Sequence, residues 1–576
     1  MKLSLVFLTA ALLESAAVGQ AVDAPKPPKR KALAEPESSS SREIKLNGKL
    51  LLFPVSKEKR RNTFSVTVDG VLVHKLEGSL ARDKDDVAWW SHLEVSEYVG
   101  KNAVLTLSPS ADEAGLALIE SSNNERHLLP LYDERMRPQF HHSQKEGWNN
   151  DPNGMVYYDG EYHLFWQCNP VGNQWGNMYW GHSTSRDMIH WTEQPRALRT
   201  FGGDYTPNRH PSMANKNCFS GSTNVDFNNS GGWQTGREKT LVTVFTDTGC
   251  GEAAAYSNDR GMTWTYYDKN PVIKHSGRDP KLVWYAPGKH WVIAVFDQVP
   301  DKAIGRNISF YSSTNLKDWT LNSKLPGFFE CPELFELPVD GDKKNMRWVI
   351  QDASAKYVVG TFDGKTFTPD FTEKQTVHYG PFYASQCFSN PPDGRVVQIG
   401  WAKIGMGGDM PFNQAFSLPI NLTLRKTKDV IRMFANPIEE LNTLHDGKAQ
   451  SVTNKSATAS APVSLDVDGQ LFDIHVILKK GDAARAMLAF GGHNLLAYDF
   501  ATETLDKVSA PLNDGVLKLR ILVDRPMFEV IVNDGQSYRT AARQPAPVGS
   551  VSINAEGGSV TVESLEVFKM NSIWKK

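Results

Sequence analysis

The sequence predicts an all-β protein, and three observations support that prediction. Short segments alternate apolar and polar residues, for example over residues 64–74, which is the pattern of half-buried strands. Pairs such as Asp159-Gly160 separate neighbouring apolar segments, as hairpin turns do. Between residues 135 and 440 a turn motif recurs four times, and helical periodicity is scarce.

In the recurring motif a strand ends in small polar residues, a turn follows, and an aromatic residue then precedes Thr. The four copies span Ser183–Thr192, Ser257–Thr265, Ser312–Thr320 and Gly360–Thr368. Strand-built units of this size indicate a β-propeller with about four strands per blade. The segment Arg395–Trp401 can supply strands of a further blade, so we expect a five-bladed β-propeller over residues 135–440.

The N-terminus predicts a secretory signal peptide over residues 1–21. An apolar run from Leu3 to Leu13 follows Lys2 and precedes small residues; it is too short to span a membrane. A buried helix is the alternative, but a Pro- and Ser-rich tract follows directly. We therefore expect a flexible linker over residues 22–42 and a secreted, extracellular or periplasmic, protein.

Two further segments are expected to be β-rich. Residues 43–130 predict a small N-terminal β domain with a hairpin turn at Asp69-Gly70. Within it, Trp89-Trp90 has two interpretations, a sugar-stacking platform or core packing. Residues 441–576 show short alternating strands that predict a C-terminal β-sandwich.

Composition excludes several classes of protein. The 576 residues include 63 Lys and Arg against 65 Asp and Glu, a balance unlike the basic surface of a nucleic-acid-binding protein and suited to an uncharged ligand. The five cysteines are scattered without a Cys-x-x-Cys pair. They therefore predict neither a disulfide framework nor a zinc site.

Three acidic residues stand out because each lies near a proline and ahead of an apolar, aromatic-rich segment. They are Asp151 in Trp148–Gly154, Asp279 after Arg278, and Glu330 in Glu330–Leu334. A propeller gathers the first strands of its blades around one axis, so these side chains are expected to meet. Cleavage of a glycoside needs one ionised and one protonated carboxyl group, and a third acid can hold sugar hydroxyls.

The local sequence suggests a role for each acid. Three asparagines surround Asp151 and, as donors, would give this residue a low pKa and make it an ionised nucleophile. The apolar residues 327–329 before Glu330 favour the protonated form of a general acid. Arg278 would keep Asp279 ionised, which suits binding. An isolated Asp-Pro pair is usually a turn, so the prediction depends on the joint occurrence of the motifs.

The ordered motifs resemble glycoside hydrolase family 32, the invertase, inulinase and levanase family. The matching segments are Trp148–Gly154, His163–Pro170, Trp180–Ser183, Phe219–Ser222, Arg278–Lys281, Glu330–Leu337 and Phe382–Gln386, and Asp524-Arg525 with Glu529-Val530 resembles the C-terminal sandwich of that family. The resemblance covers roughly residues 135–570 and implies a five-bladed propeller followed by a sandwich. Residues 43–130 lie outside this core and resemble small β domains found ahead of bacterial levanases.

The resemblance also implies a set of roles. Asp151 would be the nucleophile, Glu330 the acid/base and Asp279 the transition-state stabiliser of a retaining reaction through a covalent fructosyl-enzyme, without metal or cofactor. The implied substrate-binding residues are Asn150, Gln167, Trp175, Trp180, Ser220 and Arg278. For the two tryptophans, packing between blades is an equal alternative. Many members have Asp where this chain has Gly380-Pro381, which leaves substrate preference open.

The main hypothesis is therefore an exported β-fructosidase that cuts levan, inulin or sucrose from the terminal fructose. A fructosyltransferase is an alternative, because a sugar hydroxyl can capture the same intermediate instead of water. A carbohydrate-binding propeller without activity is a third hypothesis. We expect a fructan or fructo-oligosaccharide substrate, and no nucleic acid, membrane or obligate protein partner.

Overall fold

The structure is a computed structural model that describes residues 38–58, 62–108, 110–199, 217–248, 250–428, 430–547 and 549–574. Residues 39–576 belong to one compact unit. The predicted signal peptide and most of the predicted linker lie outside the described residues. The last residues of that linker are nevertheless in a strand, because Ser40–Lys45 pairs with residues 102–107 and Arg42 Nη1 donates to the carbonyls of Leu116 and Ile119.

The N-terminal residues form two small antiparallel sheets. Their strand orders are β1-β6-β3-β4 and β5-β2-β7. The predicted hairpin at Asp69-Gly70 is confirmed, with φ of 50° and 80° at the two residues, as a tight two-residue turn requires. Both Trp89 and Trp90 are buried, as core packing requires. The strands are β1 (Ser40–Lys45), β2 (Leu50–Ser56), β3 (Asn62–Val68), β4 (Val71–Gly78), β5 (Val87–Glu94), β6 (Asn102–Ser108) and β7 (Glu120–Ser122), with 3-10 turns at Ser96–Tyr98 and Ser110–Leu118.

The central residues form sheets in which consecutive strands pair antiparallel. The first three have the orders β11-β10-β9-β8-β28, β12-β13-β14-β15 and β16-β17-β18-β19. Their strands are β8 (Gly147–Tyr158), β9 (Glu161–Asn169), β10 (Tyr179–Ser185), β11 (Thr192–Leu198), β12 (Cys218–Asp226), β13 (Thr240–Asp247), β14 (Gly251–Ser257), β15 (Thr265–Tyr266), β16 (Arg278–Tyr285), β17 (His290–Gln298), β18 (Arg306–Ser313), β19 (Thr320–Pro326) and β28 (Phe412–Asn413).

The remaining central strands lie in one sheet made of two antiparallel groups. One group runs from β20 to β23 and the other includes β26, β27, β30 and β31; a single parallel pair, Val339 with Leu424, joins them. The strands are β20 (Glu333–Val339), β21 (Asp342–Gln351), β22 (Lys356–Phe362), β23 (Phe367–Pro369), β24 (Gln375–Thr376), β26 (Phe382–Cys387), β27 (Val396–Ala402), β29 (Ala415–Phe416), β30 (Ile420–Lys426) and β31 (Ile431–Pro437), followed by a 3-10 turn at Glu439–Leu444.

The turn motif recognised in the sequence joins the third and fourth strands of successive groups. In three copies the tryptophan indole donates to a backbone carbonyl three residues earlier: Trp191 to Met188, Trp264 to Gly261 and Trp319 to Leu316. An Asp or Asn side chain closes each turn by accepting backbone N–H bonds, as Asp187 does from Ile189 and His190. The repeat is therefore a structural device that fixes the outer strands.

The first strands of the groups contact one another in a closed ring. Strand β8 contacts β12, β12 contacts β16, β16 contacts β20, β20 contacts β26, and β26 returns to β8. Residues at the start of these strands consequently lie around one centre, although they are far apart in sequence.

The C-terminal residues form two sheets around their own apolar core. The orders are β25-β41-β40-β39-β34-β43-β32 and β33-β42-β35-β36-β37-β38, so the prediction of an all-β chain is confirmed. The strands are β25 (His378–Tyr379), β32 (Gln450–Ala457), β33 (Val463–Asp466), β34 (Phe472–Lys479), β35 (Arg485–Phe490), β36 (His493–Asp499), β37 (Thr504–Leu505), β38 (Val508–Ser509), β39 (Val516–Val523), β40 (Met527–Val532), β41 (Ser537–Ala542), β42 (Ser550–Glu556) and β43 (Val560–Lys569), with a 3-10 turn at Asn533–Gly535.

Candidate active site

The three acids singled out in the sequence lie together at the centre of the ring. Asp151 is on β8, Asp279 is on β16, and Glu330 lies three residues before β20. The thiol of Cys331 lies 3.6 Å from Asp151 Oδ2 and 3.5 Å from Asp279 Oδ2. Arg278 Nη2 lies 2.6 Å from Glu330 Oε2, and Arg278 Nε lies 3.7 Å from Asp279 Oδ2. One thiol and one guanidinium thus bridge all three carboxyl groups.

Asp151 accepts hydrogen bonds from three residues that the sequence had predicted to bind fructose. Its Oδ2 accepts from Ser220 Oγ at 2.9 Å and from Gln167 Nε2 at 3.0 Å, and its Oδ1 accepts from Asn150 Nδ2 at 3.1 Å. The indole N–H of Trp148 donates to Asn150 Oδ1 at 3.0 Å and so fixes that amide. These side chains hold the carboxylate oxygens in defined positions.

The prediction of a low pKa for Asp151 is wrong. Burial raises the pKa of this carboxyl most strongly and the nearby Glu330 charge adds to the effect, although the Asn150 and Ser220 hydrogen bonds oppose it. Two of the three asparagines expected to donate, Asn149 and Asn153, are buried, and their amides have no hydrogen-bond partner in the described part of the chain. Only Asn150 of the three asparagines is therefore a donor, and Ser220 and Gln167 supply the other amide and hydroxyl hydrogen bonds.

Asp279 also differs from its prediction. Burial, followed by the charges of Asp151 and Glu330, raises the pKa of Asp279 well above its ordinary value, and Arg278 only partly opposes them. The reason is that the Arg278 guanidinium binds the neighbouring acid more closely, at 2.6 Å from Glu330 against 3.7 Å from Asp279. Asp279 instead accepts the backbone N–H of Cys331 at 3.2 Å.

Glu330 lies in a polar setting and not in the apolar one that the sequence suggested. Its Oε2 accepts from Arg278 Nε at 2.9 Å and Nη2 at 2.6 Å, and its Oε1 accepts from the Tyr383 hydroxyl. The preceding phenylalanines serve other purposes, because Phe328 is buried in a core and Phe329 lies 5.4 Å from the Arg278 guanidinium. Phe329 thereby helps to hold the cation that pairs with Glu330.

The backbone at the acids is strained. Asp279 has a φ of 67° and Cys331 a φ of 45°, which are left-handed values that residues with a Cβ seldom adopt. Such strain persists where surrounding structure enforces it and is concentrated at functional sites. Here the turn at Cys331 aims its N–H and its thiol at Asp279.

Cys331 and Tyr383 are site residues to which the sequence reasoning gave no role. Both lie inside the motifs that carry the family resemblance, and their positions in those motifs were a usable signal. Burial, and then the charges of Asp279 and Asp151, raise the pKa of the Cys331 thiol well above its ordinary value. The thiol is therefore a neutral donor placed between two carboxyl groups.

The two tryptophans predicted to bind substrate have different surroundings. Trp180 is completely buried, donates its indole N–H to the Phe219 carbonyl at 3.1 Å, and packs against Phe165 and Phe245. This burial agrees with the alternative of packing between blades, and its substrate contact stays a prediction. Trp175 is 55% exposed and touches only the edge of Phe219 among aromatic rings of the described residues.

A small cavity adjoins the acids. A cavity of about 10 Å³ is bordered by Pro152, Ser220, Asp279 and Cys331, which is too small for a sugar. Deeper in the ring Lys281 Nζ pairs with Glu333 Oε2 at 2.8 Å. Among the residues that the structure describes, no group of three or more His, Cys, Asp or Glu side chains could hold a metal ion.

Known proteins share both sequence and structure with this chain. It is 35% identical over 531 residues to the levanase of Bacillus subtilis (strain 168), covering 82% of this chain and 74% of that protein. It is 30% identical over 530 residues to the extracellular exo-inulinase of Aspergillus niger, covering 77% of this chain and 96% of that protein. The crystal structure of exo-inulinase from Aspergillus awamori matches with a TM-score of 0.68 at 29% identity, over 77% of this chain and all of that one.

A further structural match is the β-fructofuranosidase of Schwanniomyces occidentalis complexed with fructosyl-erythritol, with a TM-score of 0.65 at 25% identity, over 76% of this chain and 98% of that one. These similarities make the chain a glycoside hydrolase. The model of the glycosyl hydrolases family 32 N-terminal domain matches residues 141–435. The chain therefore belongs to glycosyl hydrolase family 32.

Proposed function

We propose that this protein is a secreted retaining β-fructosidase that hydrolyses levan or inulin, and sucrose, from the terminal fructose. The observation that supports the proposal most is the convergence of Asp151, Asp279 and Glu330 around one thiol and one guanidinium. The names of two similar proteins, a levanase and an exo-inulinase, indicate fructans as the substrate class.

Asp151 is the proposed nucleophile. Its carboxylate attacks the anomeric carbon of the terminal fructose, a C–O bond to the enzyme forms, and the glycosidic C–O bond breaks. The hydrogen bonds from Ser220 Oγ and Gln167 Nε2 leave the carboxylate of Asp151 little rotational freedom. The attacking oxygen is thereby held in one orientation, which lowers the entropy cost of the reaction. A water molecule then releases fructose, so the sugar keeps its anomeric configuration.

Glu330 is the proposed acid and base. It gives a proton to the leaving oxygen in the first step and takes one from water in the second. Arg278 and the Tyr383 hydroxyl fix its orientation and stabilise the carboxylate that remains when the proton leaves. Asp279 is the proposed transition-state stabiliser: it holds sugar hydroxyls, and these hydrogen bonds strengthen as positive charge builds on the ring.

The architecture is proposed to be a five-bladed β-propeller over residues 135–440 and a β-sandwich over residues 441–576, preceded by a β domain over residues 43–130. The closed ring of contacts among β8, β12, β16, β20 and β26 supports the five blades. The two sheets that enclose a separate apolar core support the sandwich.

Export of the protein is proposed, with residues 1–21 as the signal peptide that directs it. The apolar run over Leu3–Leu13 and the word extracellular in the name of a similar exo-inulinase support it. In the described ranges no helix is long and apolar enough to cross a membrane. Sequencing the N-terminus of protein recovered from the medium or periplasm would test the cleavage site.

Parallel digestion of levan, inulin and sucrose tests the activity. We expect fructose as the first product from each polymer, and equal release of fructose and glucose from sucrose. Oligosaccharides longer than the substrate would identify a transferase, and fructan binding without products would identify a binding protein. Nuclear magnetic resonance of the first-formed fructose tests retention, because an inverting enzyme would release the opposite anomer.

A further inference from the structure

A large cleft lies between the N-terminal sheets and the loops of the central sheets. Its volume is about 1170 Å³, and β4 and β5 form one wall while the loops 169–177 and 407–413 form the other. Pockets for small ligands have volumes of about 300–1,000 Å³, so this cleft has room for more than a single sugar. Asp151, Asp279 and Glu330 are not among the residues that line it.

The cleft begins next to the candidate active site. Trp175, more than half exposed, lines the cleft and meets the Phe219 ring at 6.1 Å between centroids. The residue after Phe219 is Ser220, whose hydroxyl donates to Asp151. On the other side Asn413, which also lines the cleft, pairs with Trp148 in the β28–β8 register.

The chemistry of the cleft suits an uncharged polyhydroxylated ligand. The side chains of Lys75, Asn173 and Gln174 line it and make no hydrogen bond or ion pair with a described residue, so they can donate to hydroxyls. Asp409 is already paired with Arg135 at 3.2 Å. The exposed Trp175 indole offers an apolar face on which a sugar ring can pack.

The wall that the N-terminal domain supplies is fixed to the central loop. The N–H of Glu77 donates to Asn177 Oδ1 at 2.9 Å, and Asn177 Nδ2 donates to the Glu77 carbonyl at 2.6 Å. His74 Nδ1 lies 2.9 Å from the Tyr179 hydroxyl. A wall that is already ordered loses little entropy when a ligand binds.

We infer that this cleft binds the fructose units of a chain beyond the unit that is cleaved, with the N-terminal β domain as one wall. The inference rests on the proposed function and deepens it, since it makes polymers and long oligomers the favoured substrates. Lys75 and Gln174 line the cleft, and the three acids do not, so we expect the hydrolysis of short substrates such as sucrose and difructose to be independent of these two residues.

Filling the cleft tests this inference. At Gly408, which lines the cleft, an added Cβ would meet no atom within 4 Å, so Gly408→Trp narrows the cleft without a backbone clash. Gly549 in the C-terminal region has the same open surroundings, and Gly549→Trp is the matched control. We expect Gly408→Trp to lower kcat/KM for long inulin or levan oligomers by ~10-fold or more and to leave sucrose within about twofold. The control leaves both unchanged.

A double variant, Lys75→Ala with Gln174→Ala, removes ligand contacts without adding bulk. In the parent, kcat/KM should increase from short to long oligomers. In the double variant this increase should be ~10-fold smaller. Equal loss for sucrose and for polymer, or no loss in any variant, would overturn the inference. If the parent chain hydrolyses no fructan, the proposed function fails instead. Calorimetry with the Asp151→Asn protein still decides the cleft, because affinity must increase with oligomer length and lose that increase in Gly408→Trp.

Discussion

Two buried clusters of acidic residues in this chain have similar composition and opposite electrostatics. In the candidate active site the Arg278 guanidinium contacts two of the three carboxyl groups, those of Glu330 and Asp279. Where the C-terminal residues meet the central ones, Asp524 and Glu529 flank His141, with His141 Nδ1 2.9 Å from Asp524 Oδ2 and all three side chains fully buried. Asp524 also accepts the backbone N–H groups of Gln139 and Phe140.

The difference shows up in the direction of the pKa shifts. Burial alone would raise the pKa of Asp524, but the His141 hydrogen bond and charge and the backbone donors outweigh it and lower the value. At Asp279 burial and the two other acids prevail, and the pKa is raised well above normal. A cluster with enough donors stabilises the fold, whereas one with too few retains repulsion that is useful only for chemistry.

The largest effect is expected at the nucleophile. Asp151→Asn removes the attacking group, so kcat on inulin should fall by at least ~10⁴-fold, while the melting temperature stays equal or rises because a repulsive charge is lost. Asp159→Asn, in the exposed turn after the same strand, is the control and should retain full activity. An Asp151→Asn protein as active as its parent would remove the enzymatic assignment of the first cluster.

At the second cluster the same substitution should act on stability. Asp524→Asn leaves His141 with a weaker partner in a buried site, and breaking such a pair costs about 3–5 kcal/mol of unfolding free energy. Denaturant titration measures the loss. The exposed Asp466→Asn control is expected within about 0.5 kcal/mol of the parent. A negligible loss at Asp524 would mean that the two clusters do not differ in the way proposed.

The second cluster also predicts a pH dependence. Burial pulls the pKa of His141 down, but the hydrogen bonds and charges of Asp524 and Glu529 outweigh it and raise the value to about 9. A base whose pKa is raised in the folded state contributes its full stabilisation at pH values below its pKa in the unfolded state, which is ~6.5 for His. That stabilisation is lost as the pH rises through the pKa of the folded state. We expect the unfolding free energy to fall by about 3 kcal/mol between pH 6.5 and 9, a decrease that His141→Gln should lack.

Much of the fold was readable from local sequence, because hairpins and turns are specified by adjacent residues. Asp69-Gly70 and Asp159-Gly160 both have the positive φ values that their turns need. The Trp191 turn was likewise visible as a repeat. The start of β1 at Ser40 was not, since its pairing with β6 depends on residues more than sixty positions away.

The meeting of the three acids was predictable, whereas the parts played by Cys331 and Tyr383 and the electrostatics of the site were not. Chain order was enough to bring Asp151, Asp279 and Glu330 together, because strand starts meet at the centre of the ring. Which acid Arg278 binds depends on side-chain direction and on the strained turn at Cys331. No reading of sequence neighbours gives that information, and sequence alone did not decide between packing and substrate contact for Trp180, which is buried.

The smallest expected effect separates the two clusters most clearly. Asp279→Asn should raise the free energy of unfolding, whereas Asp524→Asn should lower it. Asp279→Asn keeps an acceptor for the Cys331 N–H and removes a buried charge, so the folded protein should gain about 1 kcal/mol although activity falls. An acid whose pKa is raised in the folded state lowers the free energy of unfolding at pH values above its pKa in the unfolded state. This destabilisation grows with pH until the pH passes the pKa of the folded state. The gain over the parent should therefore vanish near pH 4 and increase towards neutral pH in paired denaturant titrations. A loss of stability at neutral pH would show that Asp279 has enough partners after all.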